Sequence, residues 1–405
     1  MTLMTNPPRE PFRLGMLLYD RRYRSTTIQA FTLLMILLAL SWMTKNAIDR
    51  LAILGKEFSF GFLWVQAGYD IEPQLIPYSS SSSTHFTAGL VGLLNTLSVA
   101  IPGCILATIL GVIVGVLRLS KSWITARLMT VYIETLRNVP VVLWLIALLA
   151  VLSNVPPEPA AFRGENPSAS MWFEAIAVTR RGTYLPWPMF EDRAIWLLLA
   201  GIIAIGGIIA FRKYARRLQD KTGQILPVFL ISLAIFFVPL TLLYFLLGAP
   251  VALDYPALKG FNFQGGAQIS NQYVALTVGL AVYTSSYIAE NVRAGILAIS
   301  RGQSEASYAL GLRPGRTTQL VILPQALRVI IPPLISQWLN LTKNTSLAYF
   351  VGFMDLRATL GGITMNQTGR ELECNFLMMG IYLTLSLLIS LVLNLYNRSI
   401  QLKER

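Results

Sequence analysis

An all-α transmembrane fold with about eight spanning helices follows from three observations. The chain is 54% hydrophobic and only 13% charged, whereas ordinary soluble domains carry about 25% charge. Its apolar residues gather into eight long runs of the kind that cross a bilayer. Its 33 Lys and Arg residues, against 20 acidic ones, collect in alternate connections between those runs.

In order, residues 1–27 form a polar N-terminal segment with Arg9, Arg13, Arg21, Arg22 and Arg24. Ile28–Met43 is the first span, slightly short of the roughly 20 residues a spanning helix uses. Residues 44–87 read as an external loop, with the run Ser79–Ser83 as a flexible stretch. Ala88–Leu117 is a long span with Pro102 as a kink point. Gly103, Ala107, Gly111 and Gly115 recur every four residues and place small side chains on one stripe, open to close approach by another helix. Arg118–Arg137 reads as a loop and Asn138–Val155 as the third span. Residues 156–193, with six prolines, and 248–270 read as loops around two further spans, Ala194–Phe211 and Ile225–Leu247. Asn271–Ala289 is the sixth span. Ala326–Phe350 is the seventh, broken at Pro332-Pro333, and Phe376–Tyr396 is the eighth, before the tail 397–405.

Eight spans put both termini on one side. Of the 33 basic residues, 22 fall on that side, which the positive-inside rule makes cytoplasmic. The net charge of +13 is therefore spent on topology, and nucleic-acid binding has no support. Two distant cysteines, Cys104 and Cys374, offer neither a disulfide framework nor a metal-ligand spacing, so no metal or cofactor is expected. The single histidine, His85, reads as a solvated loop residue. No Gly-x-x-x-x-Gly-Lys-Ser/Thr phosphate loop is present; Gly311-Leu-Arg-Pro-Gly-Arg-Thr317 has the wrong glycine spacing and no lysine. The chain reads as non-catalytic.

The cytoplasmic loop 290–325 is oversized for a turn and carries helix signals. Ser300 and Gln303 fit a capping box. A short helix from Arg301 to Leu310 would end at Gly311 as a left-handed stop, and Pro314 could open a second. Ala306, Ala309 and Leu310 share a face beside Glu305. That face suits docking to a soluble partner; packing back on its own bundle is the alternative.

The run Glu305-Ala306-Ser307, three residues, Gly311, nine residues, Val321-x-Leu323-Pro324 resembles the Glu-Ala-Ala loop of ABC-importer membrane subunits. Ser307 and Val321 depart mildly from that pattern. Gly92-Leu-Leu-Asn-Thr-Leu97, Tyr132-Ile-Glu-Thr-Leu-Arg-Asn-Val-Pro140, Val321-Ile-Leu-Pro-Gln-Ala-Leu-Arg328 and Lys343-Asn-Thr-Ser-Leu347 are similar to the polar amino-acid branch, the histidine/glutamine/arginine permeases. The resemblance covers residues 86–155 and 271–400. Residues 156–270 are an insertion against that five-helix core, similar to that of the longer permease subunit of the general L-amino-acid transporters. The resemblance implies a bacterial inner-membrane, multi-pass subunit with cytoplasmic termini. It implies a separate ABC ATPase docked on Glu305, Ala306, Ser307, Gly311, Leu323 and Pro324. It further implies a second homologous permease, in a pseudo-symmetric heterodimer, and a periplasmic amino-acid-binding protein, with membrane lipids around the bundle. An ion-coupled secondary amino-acid transporter, or a scaffold that only recruits an ATPase, would be the competing functions.

Polar groups inside spans mark pathways. Thr284, Ser285, Glu290 and Asn291 on one span, with Asn340 and Lys343 on the next, could line a path for an L-amino acid. Such a substrate needs an acceptor for its ammonium and donors for its carboxylate. Glu290 and Asn291 could serve the first, Asn340 or Lys343 the second. The competing roles are local: Thr and Ser back-bonding to the helix, Glu290 pairing with Arg293 or Arg301, Lys343 snorkelling outward. Glu134 with Arg137 reads as a structural pair.

Overall fold

A computed structural model describes residues 15, 19–53, 58–164 and 167–400; the expected extremities 1–14 and 401–405 lie outside them. Among the described residues, six helices are long and apolar enough to cross a membrane, and a bent pair makes a seventh. The expected sixth span is a helix but is not one of those seven, because its polar side chains lower its hydropathy.

The first helix, α1 (Arg21–Ile53), is longer than the expected Ile28–Met43. Among its described side chains none is buried against the rest of the chain. The centre of the molecule is α2 (His85–Arg118) laid along α7 (Asn271–Leu297). The small-residue stripe makes that contact possible. A Cβ on Gly111 would stand 2.6 Å from Ile288, and one on Gly115 would stand 2.6 Å from the carbonyl oxygen of Ala289. Only a bare backbone allows helices to approach that closely. Leu145, Leu276, Leu280, Ile288 and Leu341 fill the core around the seam.

Residues expected as the loop 118–137 are mostly helix: α3 runs Trp123–Asn138 and α4 runs Val141–Asn154, bent 107° to each other. Pro140 forces the elbow. It pushes the preceding Val139 out of helical geometry, to φ −94°, ψ 130°, as proline does to its predecessor.

The insertion holds two apolar helices, α5 (Ile195–Thr222) and α6 (Val228–Leu246). The flanking segments, expected as loops of an all-α protein, form a small antiparallel lobe. Strands β1 (Ala177–Thr179), β2 (Gly182–Leu185) and β3 (Trp187–Phe190) precede the helices. Strands β4 (Val251–Asp254), β5 (Ala257–Lys259), β6 (Asn262–Gln264) and β7 (Ala267–Ile269) follow them. The sheets run β1-β2-β7, β3-β4 and β5-β6, so two pairings close across the whole helical hairpin. Tyr184 and Phe263 are buried under the lobe. Asn271, at the start of α7, donates to the carbonyls of Leu152 and Arg180 at 3.0 and 2.8 Å, fixing the lobe to the core.

After α7 come the short helix α8 (Arg301–Ala309) and α9 (Leu323–Asn344), entered through a turn of helix at Pro314–Thr317 and a π-helical turn at Thr318–Ile322. Pro332 and Pro333 lie inside α9 without ending it. The last helix, α10, runs Glu371–Ile400.

Residues 58–84 are not a slack loop. Ser79–Ser83 is a turn closed by Ser83 N–H donating to Ser79 O at 2.8 Å. Tyr69 is buried, its hydroxyl 3.0 Å from Thr364 Oγ1; burial pushes it up to about 12. His85 is buried too, with Nδ1 3.0 Å from the same Thr364 hydroxyl. The expected solvated histidine instead ties α2 to the segment before α10.

Candidate functional site

Two features stand apart from the packed core: a short helix with a free outward face, and a polar cavity between α7 and α9.

The short helix is α8. Its start is at Ser300, but the serine side chain makes no cap bond. The expected partner, Gln303, instead accepts a hydrogen bond from Gln325 Nε2 at 3.3 Å. The stop is as read from the sequence. Gly311 takes φ +79°, Leu312 N–H donates to Ser307 O at 3.1 Å and Gly311 N–H to Tyr308 O at 2.9 Å. These two bonds make a Schellman ending. Glu305 and Ala306 are exposed, and Leu310 is 82% exposed. Ser307 differs: it is buried and back-bonds to Gln303 O at 2.7 Å. It therefore belongs to the inner face of the helix and not to the expected docking surface. Leu323 and Pro324 are exposed in the first turn of α9. The outward face thus presents Glu305, the small Ala306 and the apolar Leu310 on a helix stopped sharply at Gly311.

The cavity, about 320 Å³, is lined by Tyr283, Thr284, Tyr287, Gln337, Asn340, Lys343 and Asn344. It brings together three of the six expected path residues: Thr284, Asn340 and Lys343. The other three face elsewhere. Ser285 is bonded to the Tyr132 hydroxyl at 2.8 Å and to Val282 O at 2.7 Å, which joins α7 to α3. Glu290 is held by Arg118 of α2 and, at 2.6 Å, by Arg293. A carboxylate already taken by two guanidinium groups is a poor receptor for an ammonium. Asn291 does not line the cavity, and its Nδ2 is buried without a partner. Tyr283 is the residue that pattern reading missed. Its hydroxyl lies 3.0 Å from that of Tyr287, and their four-residue spacing was the available signal. Arg137, expected beside Glu134, instead lies over the Tyr287 ring at 5.2 Å. A cation–π contact takes the place of that ion pair.

Comparison with known proteins gives a consistent result. Residues 202–402 match the binding-protein-dependent transport system inner membrane component. The chain is 53% identical over 429 residues, covering 100% of both chains, to the glutamate/glutamine/aspartate/asparagine transport system permease protein BztB of Rhodobacter capsulatus. It is 41% identical to the general L-amino acid transport system permease protein AapQ of Rhizobium johnstonii, over 97% of this chain and 96% of that one. It is 40% identical to the putative amino-acid ABC transporter permease protein YhdX of Escherichia coli, over 94% and 95%.

Proposed function

This chain belongs to the inner-membrane permease components of binding-protein-dependent transport systems, and from that premise we propose that it carries L-amino acids from periplasm to cytoplasm as one permease subunit of an ABC importer. It is a multi-pass membrane protein with cytoplasmic termini. Its residues divide into the first span within α1, the external segment that follows it, core 88–155, insertion 156–270 and core 271–396, with the coupling loop at 290–325. A separate ATPase supplies the energy, a second homologous permease completes the path in a pseudo-symmetric pair, and a periplasmic binding protein delivers substrate. The amino acids named for the relatives, glutamate, glutamine, aspartate and asparagine among them, are the substrates proposed.

The observation that carries this reading is α8. A nine-residue helix is too short to be stable by itself in water. This one is pinned by Gly311 and by the buried Ser307, yet leaves Glu305, Ala306 and Leu310 uncovered. Such a knob transmits force only when something grips it. The ATPase grips α8, and α8 moves α7 and α9, which wall the polar cavity. Thr284 and Asn340 hold the amino-acid end of the substrate and Lys343 meets a carboxylate. Glu290, tied to Arg118 and Arg293, braces α7, and neither it nor Asn291 receives the ammonium.

Substituting Glu305→Lys or Ala306→Arg tests it. Co-purification of the ATPase should weaken at least tenfold, because a misplaced charge at such an interface costs several kcal/mol, roughly. Membrane insertion should stay normal. Unchanged co-purification in both variants contradicts the assignment of α8.

A further inference from the structure

Lys343 forms part of a second cavity, about 460 Å³, between α9, α10 and the turn at Leu356–Ala358. Ser346, Arg357, Tyr382 and Ser386 supply its polar wall, Met378 and Met379 part of the rest. The lining holds two cations and no carboxylate. Among the described residues, the Lys343 ammonium has no ion pair. The Arg357 guanidinium is held in place and, among the described residues, forms no ion pair. One of its nitrogens donates to Gly361 O, and it lies over the Tyr349 ring at 5.5 Å. Glycine at 361 makes the room: a Cβ there would stand 2.5 Å from Arg357 Nη1 and 2.8 Å from Met378 Sδ. Asp355, outside the lining, accepts from the Tyr382 hydroxyl at 3.2 Å and the Ala358 N–H at 2.8 Å; it also feels the backbone N–H and the charge of Arg357, but the two side chains form no ion pair among the described residues.

Cations within a membrane bundle are costly and persist where they pair or serve a path. A guanidinium held at one edge presents its remaining donors as a fork for a carboxylate. On the transport reading given above, we propose that this second cavity is an anion subsite for the side-chain carboxylate of an acidic amino acid. Lys343 forms the wall common to both cavities. The α-amino and α-carboxyl end lies with Thr284 and Asn340, and the side chain reaches past Lys343 to Arg357. An amide side chain at the same place gains less from a charged fork, so Arg357 sets preference for acid over amide.

The test is ATP-driven uptake of labelled glutamate and of labelled glutamine by the complete complex in proteoliposomes, for wild type, Arg357→Gln and Arg357→Lys. Arg357→Gln should lower glutamate uptake about tenfold and glutamine uptake less than about twofold, the loss of one charge-assisted bidentate contact. Arg357→Lys should restore part of the glutamate rate. Glutamine uptake also reports that the variant is folded and assembled. Equal loss for both substrates overturns the proposal and assigns Arg357 to packing or to the sister subunit; no loss for either also overturns it. So does a glutamate defect that appears only in vesicles containing phosphatidylglycerol, which identifies the anion as a lipid phosphate. Binding is read without transport in detergent. Glutamate should raise the melting temperature of the wild-type complex and leave that of Arg357→Gln unmoved; an equal rise in both overturns the proposal.

Discussion

Single positions show where the chain has no latitude. Gly115 meets the carbonyl oxygen of Ala289 and Val292 Cβ at 2.6 and 2.9 Å from where its own Cβ would stand. Gly115→Val should therefore destabilise the fold by about 1–3 kcal/mol through overpacking, read as a lower melting temperature of the purified protein. The exposed Gly315, with nothing near its Cβ position, should tolerate alanine. Asp355 gives a pH-dependent prediction. Burial raises its carboxyl from 3.8 to about 6, so the fold favours the protonated form. The stability from this group is then fully present below 3.8 and is lost as the pH rises through about 6, by about 3 kcal/mol. An infrared carboxyl band titrating near pH 6, absent in Asp355→Asn, is expected; a band titrating near 4 contradicts it. Little of this residue detail was legible. The four-residue spacing of Gly103, Ala107, Gly111 and Gly115 announced a contact, because helix periodicity is local. Nothing local announced that His85 would meet Thr364, 279 positions away.

Elements were legible to the extent that their signals are short-range. The Gly311 stop and Pro314 start follow from backbone geometry alone, and both are found. The Ser300 capping box failed because Gln303 has a tertiary partner in Gln325, which competes with the cap. The elbow between α3 and α4 was signalled by Pro140, but charged residues in 118–137 made that stretch read as a loop. Here the amphipathic face of α3 packs its buried Ile133 and Leu136 inward. The β lobe was illegible for a different reason: β2 pairs with β7 and β3 with β4 across the α5–α6 hairpin, and strands of three or four residues leave almost no alternation to read. Asn271 joins the lobe to the core. Asn271→Ala removes its bonds to the partly buried carbonyls of Leu152 and Arg180, at about 1–3 kcal/mol. Proteolysis of the lobe should accelerate while α2 and α7 stay protected; unchanged cleavage contradicts the role.

At the scale of the molecule, the proposed coupling has a continuous route. Helix α8 lies between α7 and α9 in the chain, these two helices wall the polar cavity, and Lys343 lines both that cavity and its neighbour. Thr284, Asn340 and Lys343 were found because polar residues in apolar runs stand out. Ser285 and Glu290 stood out equally, but bonds to Tyr132 of α3 and to Arg118 of α2 and Arg293 take them out of the cavity; Asn291 also stood out and does not line it. The measurement that tests this account most directly is amino-acid uptake by the chain reconstituted with the proposed ATPase, second permease and binding protein. Uptake should require ATP inside the vesicle's nucleotide-facing compartment, should fail with Glu305→Lys, and should be indifferent to an imposed proton or sodium gradient. Uptake driven by such a gradient without ATP would contradict it.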